Sequence, residues 1–584
     1  MLVPERELFF QLYECLDTEA LIQRPRFAEH SRETFAAVLE TARKMAEAQF
    51  LPHNHVADQQ EPTFDGDKVH MIPEVKQAYS AFAEAGFIAA RYDFAEGGMQ
   101  LPETVMTACS AYFMAANPST TAYPFLTTAA ANVIKHCADE TLKQRYLEPM
   151  LAGQYSGTMA LTEPHAGSSL ADITTLATLA DDGSYRIKGS KLYISGGEHE
   201  LTDNIVHLVL AKIPGGPAGV KGISLFIVPK YRGEPDALVR NDIALAGLIH
   251  KLGYRGTTST ALTFGEHDDC HGYLVGEPHK GLQYMFMMMN EARIGVGFGA
   301  AMIGYRGYQY SLEYAKDRLQ GGQTIVHYGD VKRMLLAQKA YSEGGMALCF
   351  YGARLVDDMH TAESEDARLE AAQELDLLTP IIKAWPSEYG PKANDLGIQV
   401  LGGSGYTREY LAEQFWRDNR LNPIHEGTNG IQALDLLGRK LWQHQQVPLQ
   451  RLVQKIHSEC QRAEGEYGIA AAAALTQHAA SLPELIRRLG ADLQSDQQAI
   501  QLSNAEAFMK VLATVVVAWQ WLRQINAAER ALQSVDNEEQ ADFYRGKCMA
   551  GQYFMHWELP QISTYQTILM QGDNTCHSMQ PQWF

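Results

Sequence analysis

Hydrophobic periodicity changes character twice along this chain, and that pattern restricts it to an architecture of segregated layers. Apolar residues recur at helical spacing in Phe35, Val38, Leu39, Ala42 and Met45 and again in Val75, Tyr79 and Phe82. Pro73 suits a first helical turn, while Leu51-Pro52, Asn117-Pro118 and Glu148-Pro149 supply stops. From Ser156 to about Gly276 the pattern becomes β-rich, in runs over Tyr185–Lys188, Lys191–Ser195, Ile205–Ile213 and Ile223–Val228. Asp-Asp-Gly, Gly-Gly and Gly-Gly-Pro turns separate these runs, which predicts a compact antiparallel β domain. Helical patterns return over Leu282–Leu319, Asp330–Asp358, Pro448–Ala463, Leu482–Leu493 and Ala505–Ala528. No strand–helix alternation occurs, so a doubly wound parallel sheet is excluded. The reading is an α+β chain: an N-terminal helical domain over 1–155, a central β domain over 156–278, a C-terminal helical bundle over 279–440 and an extra all-helical domain over 441–584.

Charge narrows the function. Lys plus Arg number 49 against 69 Asp plus Glu, a balance of −20, and no basic stripe is visible, so nucleic acid is a poor partner. No integral membrane segment is expected; the most apolar stretch, around Val515–Trp521, reads as a buried helix. The eight cysteines lack C-x-x-C or metal-ligand spacing, which points to a reducing, cytoplasmic setting and to no metal.

Three glycine-bearing places invite a nucleotide reading. Gly295-Val296-Gly297-Phe298-Gly299 lies inside a helical run with no preceding strand, so close helix packing explains it better than a dinucleotide loop. Gly402-Gly403-Ser404-Gly405 lacks the third glycine of the Rossmann spacing and reads as a turn with close backbone approach. Ala160-Leu161-Thr162-Glu163-Pro164-His165-Ala166-Gly167-Ser168-Ser169 offers backbone N–H groups and hydroxyls at a strand exit. Downstream come Lys191-Leu192-Tyr193-Ile194-Ser195 and His425-Glu426-Gly427-Thr428-Asn429-Gly430-Ile431-Gln432.

With Gln399-x-x-Gly-Gly-x-Gly-Tyr406 and Arg417-Asp418, these ordered motifs resemble the acyl-CoA dehydrogenase family over roughly residues 30–440. The helical tail is similar to that of the long bacterial branch. The resemblance implies FAD as cofactor and oxidation of a medium-to-long saturated acyl-CoA to the trans-2-enoyl-CoA, in fatty acid β-oxidation. Glu426 would be the catalytic base, its backbone N–H would meet the thioester oxygen, and desolvation would raise its basicity. Cofactor contacts would come from Met159, Leu161, Thr162, Ser168, Tyr193, Ser195, Arg318, Gln320, Gln399, Gly402, Gly403 and Thr428. Ser168, Asn290, Arg293 and Gly427 would meet substrate, and Arg318 and the Gln399 loop imply at least a homodimer. An electron-transferring flavoprotein would be the acceptor.

Departures from the family pattern are Ser169 for Asp, Tyr193 for Trp, Ser195 for Thr, Gln414 for a basic residue and His425 for Tyr. Glu291, near Arg293, is the alternative base, disfavoured because it points to another helix face. The alternatives in function are an acyl-CoA oxidase, a dehydrogenase of a sulfur-containing acyl-CoA such as 3-methylmercaptopropionyl-CoA, a flavin-containing DNA-binding protein and an inactive scaffold.

Overall fold

A computed structural model describes residues 2–233 and 237–584, with the backbone alone for 287–290. The chain forms two compact units. One comprises Glu33–Pro102 and Tyr112–Ala292 and carries the sheet; the other comprises Met1–Arg32, Glu103–Ala111 and Arg293–Phe584 and is helical.

In the first unit eight strands form one sheet: β1 (Tyr155–Ala160), β2 (Leu176–Leu179), β3 (Tyr185–Ser195), β4 (Asn204–Lys212), β5 (Ile223–Pro229), β6 (Ile243–Leu248), β7 (Ser259–Phe264) and β8 (His271–Leu274). Their order is β6-β7-β3-β8-β5-β4-β1, with β2 pairing β3 and β4. The sheet is mixed rather than wholly antiparallel, because β1 runs parallel to β4 in the register Tyr155↔Asn204 to Ala160↔Val209. The two are joined through β2 and β3, a connection long enough for the crossover that a parallel pair requires. The runs over 185–188 and 191–195 are one strand that continues through Gly189.

Strand β4 explains its own apolar composition. Val206, Leu208 and Leu210 enter a core with Ala130, Val133 and Ile134 of helix α1 (Pro118–Cys137). The alternate residues Val209 and Ala211 enter a second core with Ile187, Phe226 and Phe264. Period-two alternation therefore feeds two cores, and a strand covered on both faces reads as a continuous apolar run.

The helical unit is built on α2 (Gly281–Asp317) from Arg293 onward, α3 (Gly329–Thr361), α4 (Glu365–Leu401), α5 (Asn429–Gly438), α6 (Ala505–Leu532) and α7 (Glu538–Tyr553). Helix α4 contains Pro380, Pro386 and Pro391. Pro386 has no N–H to return to the Ile382 carbonyl. Gly297 of α2 packs against that same carbonyl, so closely that a Cβ on it would lie 2.0 Å from the oxygen. Gly297 is therefore a helix-packing glycine. Helix α6 is long and apolar enough to cross a membrane, yet 83% of its most apolar window is buried, and Trp521 Nε1 donates to the Ala340 carbonyl of α3 at 3.1 Å.

Candidate active site

The segment between helix Ala412–Asn419 and α5 is shaped mainly by backbone bonds. Asn429 N–H donates to the Pro423 carbonyl at 3.0 Å and Thr428 Oγ1 to the same oxygen at 3.1 Å. Glu426 adopts φ +54°, a left-handed conformation costly for a residue with a Cβ. Gln432 holds it there, its Nε2 donating to the carbonyls of Glu426 at 3.1 Å and Gly427 at 3.2 Å. With the carbonyls engaged, the amide N–H groups of Glu426 and Gly427 have no acceptor among the described residues. The partly buried Glu426 carboxylate likewise accepts no hydrogen bond among them. Burial pushes that carboxyl up from its ordinary value, opposed by the nearby Arg293 and Lys383. A half-desolvated carboxylate with free amide donors on the same turn can take a proton from carbon and stabilise the charge left behind.

Arg293 is 6% exposed, so it is no surface ion-pair residue, and its Nη2 lies 3.9 Å from the position of a Cβ on Gly427. Lys383 of α4 is fully buried and donates to Asn429 Oδ1 at 3.0 Å. His425 Nε2 pairs with Asn422 Oδ1 at 3.1 Å. Asn422 Nδ2 donates to Asn419 Oδ1 at 2.8 Å, and Asn419 Nδ2 donates in turn to Asn394 Oδ1 at 2.7 Å. Burial, aided by Lys383, presses the imidazole down to about 3, so His425 is neutral. Sequence reasoning placed Gln432 in the motif without its grip on the two carbonyls, and it missed Lys383 and this amide chain. Their one visible signal was a lysine inside the apolar stretch Ile381-Ile382-Lys383-Ala384-Trp385.

In the sheet-bearing unit, Leu192 N–H donates to the Thr162 carbonyl at 2.9 Å and so ties the β1 exit to β3. The β3–β7 register shifts between Thr260↔Ile194 and Leu262↔Lys191, a bulge that places Tyr193 at φ +60°. Tyr193 is consequently 61% exposed, and Ser195 is exposed two residues on. Met159 and Leu161 pack partly buried on the core beneath Thr162, whereas Ser168 stands exposed on the loop. That edge offers an aromatic face and hydroxyls to a planar ligand.

Its scaffold is a buried ion pair. Lys191 Nζ donates to Glu163 Oε1 at 2.9 Å and to the Leu161 carbonyl at 3.0 Å, and Glu163 also accepts from the N–H and Oγ1 of both Thr174 and Thr175. Burial would raise the Glu163 carboxyl, but Lys191 and the threonine donors hold it down at about 2. A carboxyl depressed in the folded state stabilises fully above its unfolded value near 4.5 and progressively less as pH falls toward 2. Wild type is therefore expected to lose stability across that window by a larger margin than Glu163→Gln does. Thermal melts at stepped pH check this, and parallel pH curves for the two proteins would refute it.

The remaining candidates lie elsewhere. Arg318 and Gln320 are exposed where α2 passes into the Leu319–Gln320/Gln323–Thr324 hairpin, and Gln399, Gly402 and Gly403 are exposed at the end of α4. The Asn290 side chain lies outside the described residues. Glu291 is committed to Arg91 at 3.1 Å and to Asn132 at 2.9 Å. Of the departures, Ser169 Oγ donates to Asp172 at 2.6 Å and Gln414 is buried.

Comparison with known proteins adds four successive family matches. Residues 32–154 match the acyl-CoA dehydrogenase N-terminal domain, 158–266 its middle domain, 279–441 its C-terminal domain and 452–580 an acetyl-CoA dehydrogenase C-terminal-like domain. The 3-methylmercaptopropionyl-CoA dehydrogenase of Ruegeria pomeroyi is 33% identical, with 98% of each chain covered. The broad-specificity linear acyl-CoA dehydrogenase FadE5 of Mycobacterium tuberculosis is 31% identical, with 97% of each covered. Among solved structures, an acyl-CoA dehydrogenase complexed with FAD from Bacillus anthracis superposes with a TM-score of 0.76 at 22% identity, over 95% of this chain and 91% of that one.

Proposed function

Because the chain belongs to the acyl-CoA dehydrogenase family, we propose that it desaturates a linear acyl-CoA of medium-to-long chain, Glu426 taking the α-proton as the trans-2-enoyl-CoA forms. The observation that carries this reading is the Glu426 turn, where a carboxylate raised by burial stands beside backbone amide N–H groups, none of them hydrogen-bonded among the described residues. Burial makes it a stronger base, and the C–H bond breaks as its O–H bond forms. The amide of Glu426 lies on the rigid turn that presents the base, so a donor for the thioester oxygen is set in place without reorganisation.

FAD is the cofactor, and when bound it supplies the acceptor for the β-hydride. The sheet edge fits a flavin: Thr162 and Ser195 offer hydroxyls, and Tyr193 offers an exposed aromatic face on a strained bulge that the fold itself does not use. Arg318, Gln320, Gln399, Gly402 and Gly403 are all exposed in the single chain, which supports a homodimer in which they meet the cofactor of a second copy. An electron-transferring flavoprotein is the acceptor we favour. All eight cysteines are thiols, which accords with the cytoplasm.

A second reading, oxidation of 3-methylmercaptopropionyl-CoA, is favoured by the full-length relative at 33% identity. Anaerobic mixing of the flavoprotein with butyryl-, octanoyl-, palmitoyl- and 3-methylmercaptopropionyl-CoA separates the two. Fastest bleaching of the flavin band is expected with octanoyl- or palmitoyl-CoA. Fastest bleaching with the sulfur-containing thioester would establish the second reading, and one equivalent of peroxide per enoyl product in air would make the protein an oxidase.

A further inference from the structure

Lys383 is a charge buried where the fold has no need of one. It sits fully buried in α4, and its single polar partner among the described residues is Asn429 Oδ1 at 3.0 Å. Asn429 in turn donates from Nδ2 to the Ala384 carbonyl at 3.3 Å, so the start of α5 is already clasped to α4 by an amide. A glutamine at 383 could donate the same bond without burying an ammonium, whose lost hydration has to be offset by a nearby opposite charge.

The charges around it show which one does. Arg293 is answered first by Asp435, then by Glu426 and more weakly by Asp376, with Arg439 opposing. Lys383 is answered by Glu426 alone and opposed by Arg293. His425, the other titratable group near it, is neutral. Glu426 faces two cations, Arg293 and Lys383, and among the described residues it is the sole carboxylate that compensates the second.

We propose that Lys383 is a positioning residue for the base: its ammonium, fixed on Asn429, is the counter-charge that keeps Glu426 ionised and ready to take a proton. This rests on the reading of Glu426 as base. Burial presses Lys383 down to about 7 against the pull of Glu426, so it still carries its charge on the acid side, where a carboxylate base would otherwise be lost to protonation.

The test uses the holoenzyme with Lys383→Gln, which keeps a donor and loses the charge, Lys383→Arg, which keeps the charge, and Lys383→Met in reserve should the glutamine variant not fold. Two readouts are taken: the pH dependence of flavin bleaching by acyl-CoA, and the infrared titration of the Glu426 carboxyl in oxidised enzyme without substrate, its band identified by its absence in Glu426→Gln. In Lys383→Gln both the acid limb and the infrared midpoint are expected to rise by about one pH unit, the effect of removing a neighbouring opposite charge, while Lys383→Arg stays near wild type. An unmoved midpoint in Lys383→Gln, or an equal shift in Lys383→Arg, would overturn the proposal and leave Lys383 a tether. If wild type bleaches with no acyl-CoA, the reading of Glu426 as base fails, while the infrared midpoint still decides whether Lys383 holds that carboxylate ionised.

Discussion

Glu426→Gln is expected to bind FAD as wild type does and to lose roughly 10²–10⁴-fold in the rate of flavin bleaching by acyl-CoA, the range over which a positioned general base contributes. The substitution is nearly isosteric and removes only the ability to take a proton. The geometry of the turn should survive it, because Gln432 grips backbone carbonyls and the carboxylate itself accepts nothing among the described residues. The strained φ of +54° is equally costly for glutamine and glutamate, so the balance of strain is unchanged. In wild type the base must be ionised, and burial raises its carboxyl above the usual glutamate value, so bleaching should fall with decreasing pH through a limb above 4.5. Rapid mixing of both proteins with a saturated thioester reads rate and flavin content together. Bleaching of Glu426→Gln at the wild-type rate would move the base to another carboxylate.

The Glu426 turn was legible because its motif is local: Glu426, Gly427, Thr428 and Gln432 sit within seven residues, and Gln432 bonds the carbonyls of the first two. Long periodic helices were equally legible, with the Leu282–Leu319 pattern realised as Gly281–Asp317 and Asp330–Asp358 as Gly329–Thr361. Helix α4, which was given no bounds of its own, carries three prolines that each remove an N–H from the helical ladder. Tertiary packing overrides them: every residue from Leu377 to Ser387 is buried, and the carbonyl freed by Pro386 meets a glycine of α2. The Tyr193 bulge was invisible because it is a property of pairing with β7, not of residues 191–195. Lys383 escaped for a related reason. A lone lysine in an apolar run announces a buried charge, but only the folded arrangement of α4 and α5 shows which carboxylate answers it.

The same limit governs the first thirty residues, whose place in the helical unit depends on a charge node no local pattern foretells. Lys547 of α7, fully buried, donates to Glu7 Oε1 at 2.5 Å, to Glu343 Oε2 of α3 at 2.8 Å and to Gln524 Oε1 of α6 at 3.3 Å. Gln11 completes the cage by donating to Glu7 at 3.1 Å and Gln524 at 2.9 Å, and Lys339 pairs with the other oxygen of Glu343. One ammonium thus joins segments 540 and 204 positions apart in sequence. Lys547→Met keeps the volume and removes the charge, leaving two carboxylates buried side by side with Lys339 alone to answer them. Breaking a buried pair this way typically costs about 3–5 kcal/mol, the largest stability loss we expect from a single substitution here. The sign of its pH dependence follows. Burial would raise the Glu343 carboxyl, but Lys339 and Lys547 hold it below its ordinary value, so its stabilisation is present at neutral pH and lost on acidification. Without Lys547 the carboxylates can relieve their repulsion by taking up a proton, so the deficit of the variant should be greatest near pH 7.5 and should shrink toward pH 5. Adding Glu7→Gln should restore part of the loss, because it removes one of the stranded charges. Melting curves of the three proteins at both pH values measure this, and a Lys547→Met protein as stable as wild type at pH 7.5 would mean that the node contributes specificity of pairing but no net stability.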